Sequence, residues 1–194
     1  MAYLSNKFDL YVFLVILILL FFKEINMILE NILETLKKLN INYDLIEHEA
    51  TTSCEHSKEL REKAWLVWIW SKNIIFHAKW NFYLVTTTWE KDIKARKFKW
   101  EFWTKDIRFA SQEEINNIKM WTIWSISPFW FENNEIKMYV DSEIFENEFF
   151  MFNPWVPEKT IRVKTADLKN IYMNLKNEIK TFKLSEEEIE FNEL

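Results

Sequence analysis

From Met27 onward the apolar positions Leu29, Ile32, Leu33, Leu36 and Leu39 return at helical spacing, which predicts an amphipathic helix. "YDLIEH" (Tyr43–His48) then predicts a short strand, and Cys54–Ala64 a helix entered through the capping box Thr52-x-x-Glu55. Two strand-like runs, Asn73–His77 and Phe82–Thr88, flank "AKWN" and predict a hairpin. A basic helical piece near Asp92–Lys99 and a strand at Ile107–Ala110 follow, then a helix capped by Ser111-x-x-Glu114. "IKMYVD", "FFMFN" and "TIRV" predict strands. Thr165–Lys180 predicts a helix with Leu168, Ile171, Tyr172, Leu175 and Ile179 on one face. Strands and helices mix without strict βαβ alternation. The pattern therefore predicts an α/β fold of the α+β kind, a mixed, largely antiparallel sheet with flanking helices.

The one stretch that breaks this amphipathic pattern is Leu10–Phe22, "LYVFLVILILLFF", an unbroken apolar run. As a helix it covers about 20 Å, short of a bilayer core of about 30 Å. It also lacks the small-residue cleavage site of a signal peptide. Three readings stand: sequence upstream of a true start at Met27, a marginal membrane anchor, or a buried helix. The expected organisation is an apolar extension at 1–26, one domain over 27–183, and an acidic tail at 184–194.

Composition changes the picture at one point. The chain has eleven Trp and no Gly among 194 residues, where ordinary usage of about 7% would supply roughly 14 glycines. Several Trp stand where a fold wants glycine. Trp65 follows the predicted helix at its C-terminal end. Trp80 lies in the hairpin turn, Trp89 ends the hairpin's second strand, and Trp155 sits between Pro154 and Val156-Pro157. The reading that follows is that UGA encodes glycine in this gene, as in some uncultivated bacterial lineages, and that the string renders it as Trp. The competing reading is an aromatic-rich binding protein with genuine indoles, anchored by Leu10–Phe22.

With Trp read as Gly, "MWTIWSISPFWF" (Met120–Phe131) becomes a Gly/Pro loop. This loop resembles that of the YbaK/ProX family, the aminoacyl-tRNA deacylases related to the editing insertion of bacterial prolyl-tRNA synthetases. The family's Gly-x-x-x-Pro maps to Trp124–Pro128 and its following Phe-Gly to Phe129 and Trp130. Four further pieces agree in order: "EHEATTS", "SKNIIF", "IRFASQEE" and "FNPWVPEKTIRVKTADL", over roughly Tyr43–Tyr172. The resemblance implies Lys72 as the catalytic residue. It implies His48, Thr52, Asn73, Trp124, Ser125, Ser127, Pro128, Phe129, Trp130, Asn153 and Trp155 as substrate-binding positions. The late loop lacks the His that some members carry there, which bears on substrate identity.

The chemistry suits such residues. An aminoacyl ester is labile, so its hydrolysis needs placement and charge stabilisation more than a strong nucleophile. A Gly/Pro loop can present backbone N–H groups, and a strand lysine supplies a fixed positive charge. Taken alone, Lys72 reads as a solvated strand residue and the Ser-Pro segment as a turn. Ser125 and Ser127 lack any recognisable triad spacing to His48, His56 or His77. Cys54, the single Cys, reads as structural, and neither a metal nor a cofactor is expected.

Formal charge is −5, and five carboxylates lie in Glu186–Leu194, so the remaining body is neutral overall. Within it, Lys91–Arg108 carries seven basic and three acidic residues. That segment is either a solvated face or a contact for RNA phosphates. The expected partners are the 3′ acceptor end of an aminoacyl-tRNA and, as a candidate, an aminoacyl-tRNA synthetase. DNA and membrane are not expected, and the localisation implied is cytoplasmic. A catalytically silent tRNA- or synthetase-binding module of the same fold is the alternative.

Overall fold

The computed structural model describes residues 2–50, 69–118, 125–129, 135–185 and 188–194, with the side chains of 2–9 and 17–26 left out. Thr52, Cys54, Trp65, Trp124 and Trp130, with the helix expected over Cys54–Ala64, lie outside the described residues.

Helix α1 spans Ala2–Lys38, so the amphipathic stretch expected from Met27 is the end of one longer helix. Leu29, Ile32 and Leu36 plug that end into the core. Leu10–Ile16 are exposed on every side of the helix, which removes the buried-helix reading for those seven residues. Among the described residues no helix is long and apolar enough to cross a membrane.

The strands are β1 (Tyr43–Glu47), β2 (Ile69–Ala78), β3 (Asn81–Thr88), β4 (Ile107–Phe109), β5 (Lys137–Asp141), β6 (Phe149–Phe152), β7 (Lys159–Lys164), β8 (Ile179–Leu184) and β9 (Ile189–Glu193). They join in the order β1-β7-β6-β2-β3-β5-β8-β9, with β4 also on β2. Five of the pairings are antiparallel, and β2–β6, β3–β5 and β5–β8 are parallel. This is the mixed, largely antiparallel sheet that the pattern predicts. Short helices α2 (Gln112–Asn117) and α3 (Thr165–Met173) accompany it, and the basic piece is a single 3-10 turn at Ala95–Phe98. The expected capping box holds: Ser111 and Glu114 satisfy each other's backbone N–H groups at the start of α2.

The β2–β3 hairpin sorts its residues by the period of two. Ile75 and Leu84 face the core built around α1, β5 and α3. Ile74, Phe76 and Val85 face a second, aromatic core with Phe98, Phe102 and Phe182.

Two stretches differ from the pattern. The helix expected to Lys180 stops at Met173, with Asn174 as its C-cap. Ile179, the last residue of the helical stripe, pairs in parallel with Met138 as part of β8. The stretch expected as an acidic tail forms β9, antiparallel to β8. Phe191 reaches the aromatic core, its ring 5.7 Å from that of Phe98, while Glu190 and Glu193 stay in solvent.

Backbone geometry bears on the Trp positions. Four described residues have positive φ: Asn40 at 54°, Lys79 at 57°, Trp103 at 53° and Trp155 at 72°. At Asn40, α1 ends in a Schellman motif, with Ile41 N–H donating to Leu36 O and Asn40 N–H to Lys37 O. The same bonds recur at Trp103, where Thr104 N–H donates to Lys99 O and Trp103 N–H to Trp100 O. Asn is a usual second choice for that left-handed position after glycine; indole is not. In the hairpin turn the positive φ falls on Lys79 rather than on Trp80, and Trp89 has none.

Candidate active site

Asn73 is the hinge of the first polar cluster. It lies on β2 opposite Thr86 and faces the α1 side of the sheet. Its amide Nδ2 donates to the Ile126 carbonyl at 2.7 Å and to Ser71 Oγ at 3.2 Å, while its Oδ1 accepts from Thr86 Oγ1 at 2.9 Å. The segment Ser125–Phe129 is buried along its whole length. Phe129 N–H donates to Ser127 Oγ. The Phe129 ring is fully buried, 5.0 Å from Phe152 and 4.9 Å from Tyr172. Burial raises the Tyr172 hydroxyl well above the usual tyrosine pKa, so it stays neutral. Loop, strand and α3 are thus tied at one point by a hydrogen-bonded amide and an aromatic plug.

Next to this plug lies the turn between β6 and β7. Asn153 Nδ2 donates to the Val156 carbonyl at 2.9 Å and closes the turn around the left-handed, buried Trp155. Asn153 Oδ1 is buried and has no hydrogen-bond partner. Just past the end of β1, His48 Nδ1 faces the Glu49 carbonyl at 2.7 Å and Nε2 faces Thr160 Oγ1 on β7 at 2.9 Å. A carbonyl only accepts, so Nδ1 carries the proton and a neutral ring accepts at Nε2.

Lys72 is one residue from Asn73 and therefore on the other face, opposite Thr87. Its Nζ donates to the Lys91 carbonyl at 3.0 Å. Beside it, Thr87 Oγ1 donates to the fully buried Asp141 at 2.6 Å, and Lys91 Nζ reaches Asp141 at 2.7 Å and Glu143 at 2.9 Å. Burial opposes the charge on Lys91; hydrogen bonds and attraction from Asp141 and Glu143 overcome it, and its pKa lies above the ordinary lysine value.

The structure thus brings Asn73, Ser125, Ser127, Pro128 and Phe129 together, with Asn153 and Trp155 in the adjoining β6–β7 turn and His48 just past the end of β1. Lys72 stands on the opposite face of the same strand. Asn73 spends its amide on protein partners, which makes it a holder of the loop. Neither described histidine hydrogen-bonds a serine: His48 engages Thr160 and Glu49, and His77 engages Glu114 and Arg108. Among the described residues no cluster of three metal-ligating side chains occurs.

Residues 48–171 match the family model of the aminoacyl-tRNA editing domain, well over half of the 194-residue chain. This chain belongs to the aminoacyl-tRNA editing domain family. Solved structures share the fold of this editing domain at low identity. A protein proposed to be a trans-editing enzyme for prolyl tRNA synthetase superposes with a TM-score of 0.62 at 14% identity, covering 81% of this chain and 98% of the other. A hypothetical protein, APE2540, gives 0.63 at 12% identity, covering 76% and 95%. A scaffold used for computational epitope grafting gives 0.59 at 13% identity, covering 81% and 97%. No curated protein matches the sequence.

Sequence reasoning missed the residues that pack against the candidate site residues: Thr86 on Asn73, Tyr172 on Phe129, and Thr87, Lys91 and Asp141 around Lys72. One signal was available. Thr86-Thr87-Thr88 is a polar run inside a strand that is buried on both faces, and buried hydroxyls need partners.

Proposed function

We propose that this editing domain hydrolyses mischarged aminoacyl-tRNA in trans, in the cytoplasm, with the aminoacyl ester held against the Ser125–Phe129 loop. The observation that carries the reading is the Asn73–Ile126 bond. It fixes the loop to β2 one residue from the lysine that the family resemblance singles out. Water adds to the ester carbonyl, the bond to the terminal ribose oxygen breaks, and that oxygen leaves with a proton. Free amino acid and tRNA are the products. Loop N–H groups oppose the charge that develops on the carbonyl oxygen. Because Lys72 lies on the other face, its ammonium suits a phosphate of the RNA 3′ end passing the start of β2 rather than the oxyanion. Selection among amino acids then follows from the size of the space by Asn153 and position 155.

The same reading takes glycine at the Trp positions. It is supported by Trp103 in the glycine slot of a Schellman motif and by Trp155 at φ 72°. The exposure of Trp80, Trp100 and Trp103, 92, 72 and 82%, adds to it. The test is single-turnover deacylation of Ala-, Cys-, Ser- and Thr-charged tRNA by the full chain carrying glycine at the eleven positions. At least one should be cleared by catalysis; tight binding with no turnover on any of them would instead identify a silent module.

Part of the basic segment Lys91–Arg108 is already committed to carboxylates. Lys91 is paired with Asp141 and Glu143, and Arg108 with Glu114. Lys94 stands 4.0 Å from Asp92, and Arg96, Lys99 and Lys105 remain as candidate phosphate contacts. Three such contacts should weaken tRNA binding about 20- to 40-fold between roughly 50 and 200 mM salt. A flat response would assign the segment to solvent.

A further inference from the structure

We infer that Lys91, held by Asp141 and Glu143, is a positioning residue that fixes where the Lys72 ammonium sits. This rests on the deacylase reading and adds to it a second lysine that never touches RNA. Among the described residues the Lys72 ammonium makes one hydrogen bond, to the Lys91 carbonyl at 3.0 Å. A flexible four-carbon side chain bound at one point goes wherever that point goes. The carbonyl belongs to the turn that follows β3. Two backbone bonds hold that turn, Trp89 N–H to Trp70 O at 3.1 Å and Lys91 N–H to Thr88 O at 3.2 Å.

The side chain of Lys91 adds a further constraint. Its ammonium meets Asp141 at 2.7 Å and Glu143 at 2.9 Å, and Asp141 has no exposure at all. Asp141 is itself fixed by Thr87 Oγ1 at 2.6 Å and by Glu143 N–H at 3.1 Å. Thr87 is the cross-strand partner of Lys72. The chain of contacts therefore closes a ring: Lys72, the Lys91 carbonyl, the Lys91 ammonium, Asp141, Thr87, and back across the ladder to Lys72. With glycine at position 89 the turn's backbone is looser, and the ion pair becomes its main restraint. The charges agree: two carboxylates already answer the Lys91 cation, while among the described residues the Lys72 ammonium meets a carbonyl and no carboxylate, so Lys72 keeps its charge for an anion.

The test is a double-mutant cycle read as kcat/KM for deacylation under single turnover. Lys91→Met should lower kcat/KM about tenfold when Lys72 is present and less than about twofold in the Lys72→Ala background, because coupled residues are not additive. Lys91→Arg, which still reaches both carboxylates, should restore most of the loss. An equal loss in both backgrounds, or no loss at all, overturns the inference while Lys72→Ala alone still reports on the deacylase reading. Should Lys72→Ala prove undiminished, the inference falls and the deacylase reading rests on the loop alone. If Lys91→Met leaves Asp141 unpaired and unfolds the chain, Lys91→Met with Asp141→Asn removes both charges, keeps an oxygen acceptor for Glu143 N–H and offers the Thr87 hydroxyl an amide donor in place of the lost oxygen, and must give the same cycle.

Discussion

Lys72→Ala is expected to slow single-turnover deacylation about 100-fold, the scale on which a small misplacement of bound substrate slows its reaction. The same variant should unfold within a few degrees of the parent. Lys72 is half-buried, and among the described residues its side chain makes one hydrogen bond, to a backbone carbonyl, and belongs to neither hydrophobic cluster. Its loss therefore removes a charge without opening a cavity. Lys72→Arg keeps the charge but not the geometry, and should recover only part of the rate. A Lys72→Ala protein with undiminished turnover would remove the lysine from the mechanism and leave the loop to explain any activity.

The second large effect concerns the indoles. The chain with Trp at all eleven positions should self-associate, and the chain with glycine there should run as a single species by size exclusion. Trp80 at the hairpin tip and Trp100 and Trp103 beyond the 3-10 turn are 92, 72 and 82% exposed; large apolar groups left in water in this way promote association. Conformation argues the same direction at Trp103. A left-handed backbone costs a residue with a Cβ about 1–2 kcal/mol and costs glycine little. Trp103→Gly should therefore raise the stability measured in urea by about 1 kcal/mol, against the usual sign for Trp→Gly. Trp155 is the opposing case, since its indole is 4% exposed and part of the main core. Trp155→Gly relieves a φ of 72° but empties a space beside Asn153 and Phe129. On the deacylase reading that space receives the amino acid. A destabilising Trp103→Gly would count against the glycine reading.

Much of the sheet was legible because its signals are local. Two apolar runs around "AKWN" place β2 and β3 in register, and Ser111 and Glu114 announce α2 three residues apart. The C-terminal region was not, and each miss has a cause. Leu168, Ile171, Tyr172, Leu175 and Ile179 keep helical spacing, yet Asn174 ends the helix and Asn177 donates from its side chain to the Ile136 carbonyl. Pairing of Ile179 with Met138 then outweighs propensity. In "IEFNE" the alternation of β9 was present, masked by five carboxylates in nine residues. For the site, Lys72 and Asn73 stood out only through resemblance to a family. Their opposite faces follow from the period of two once the strand is placed. The ring through Lys91 and Asp141 joins residues about fifty positions apart, and no local pattern carries such a contact.

The claim beneath the rest is that residues 121, 124, 130 and 155 are glycine in the living cell, which turns two aromatic stretches into backbone loops able to hold an aminoacyl ester. Peptide mass spectrometry of the protein isolated from its own source reads this directly, on the tryptic fragment from Met120 to Lys137. The account predicts the mass of that peptide with glycine at 121, 124 and 130. A peptide carrying tryptophan at those positions would contradict it.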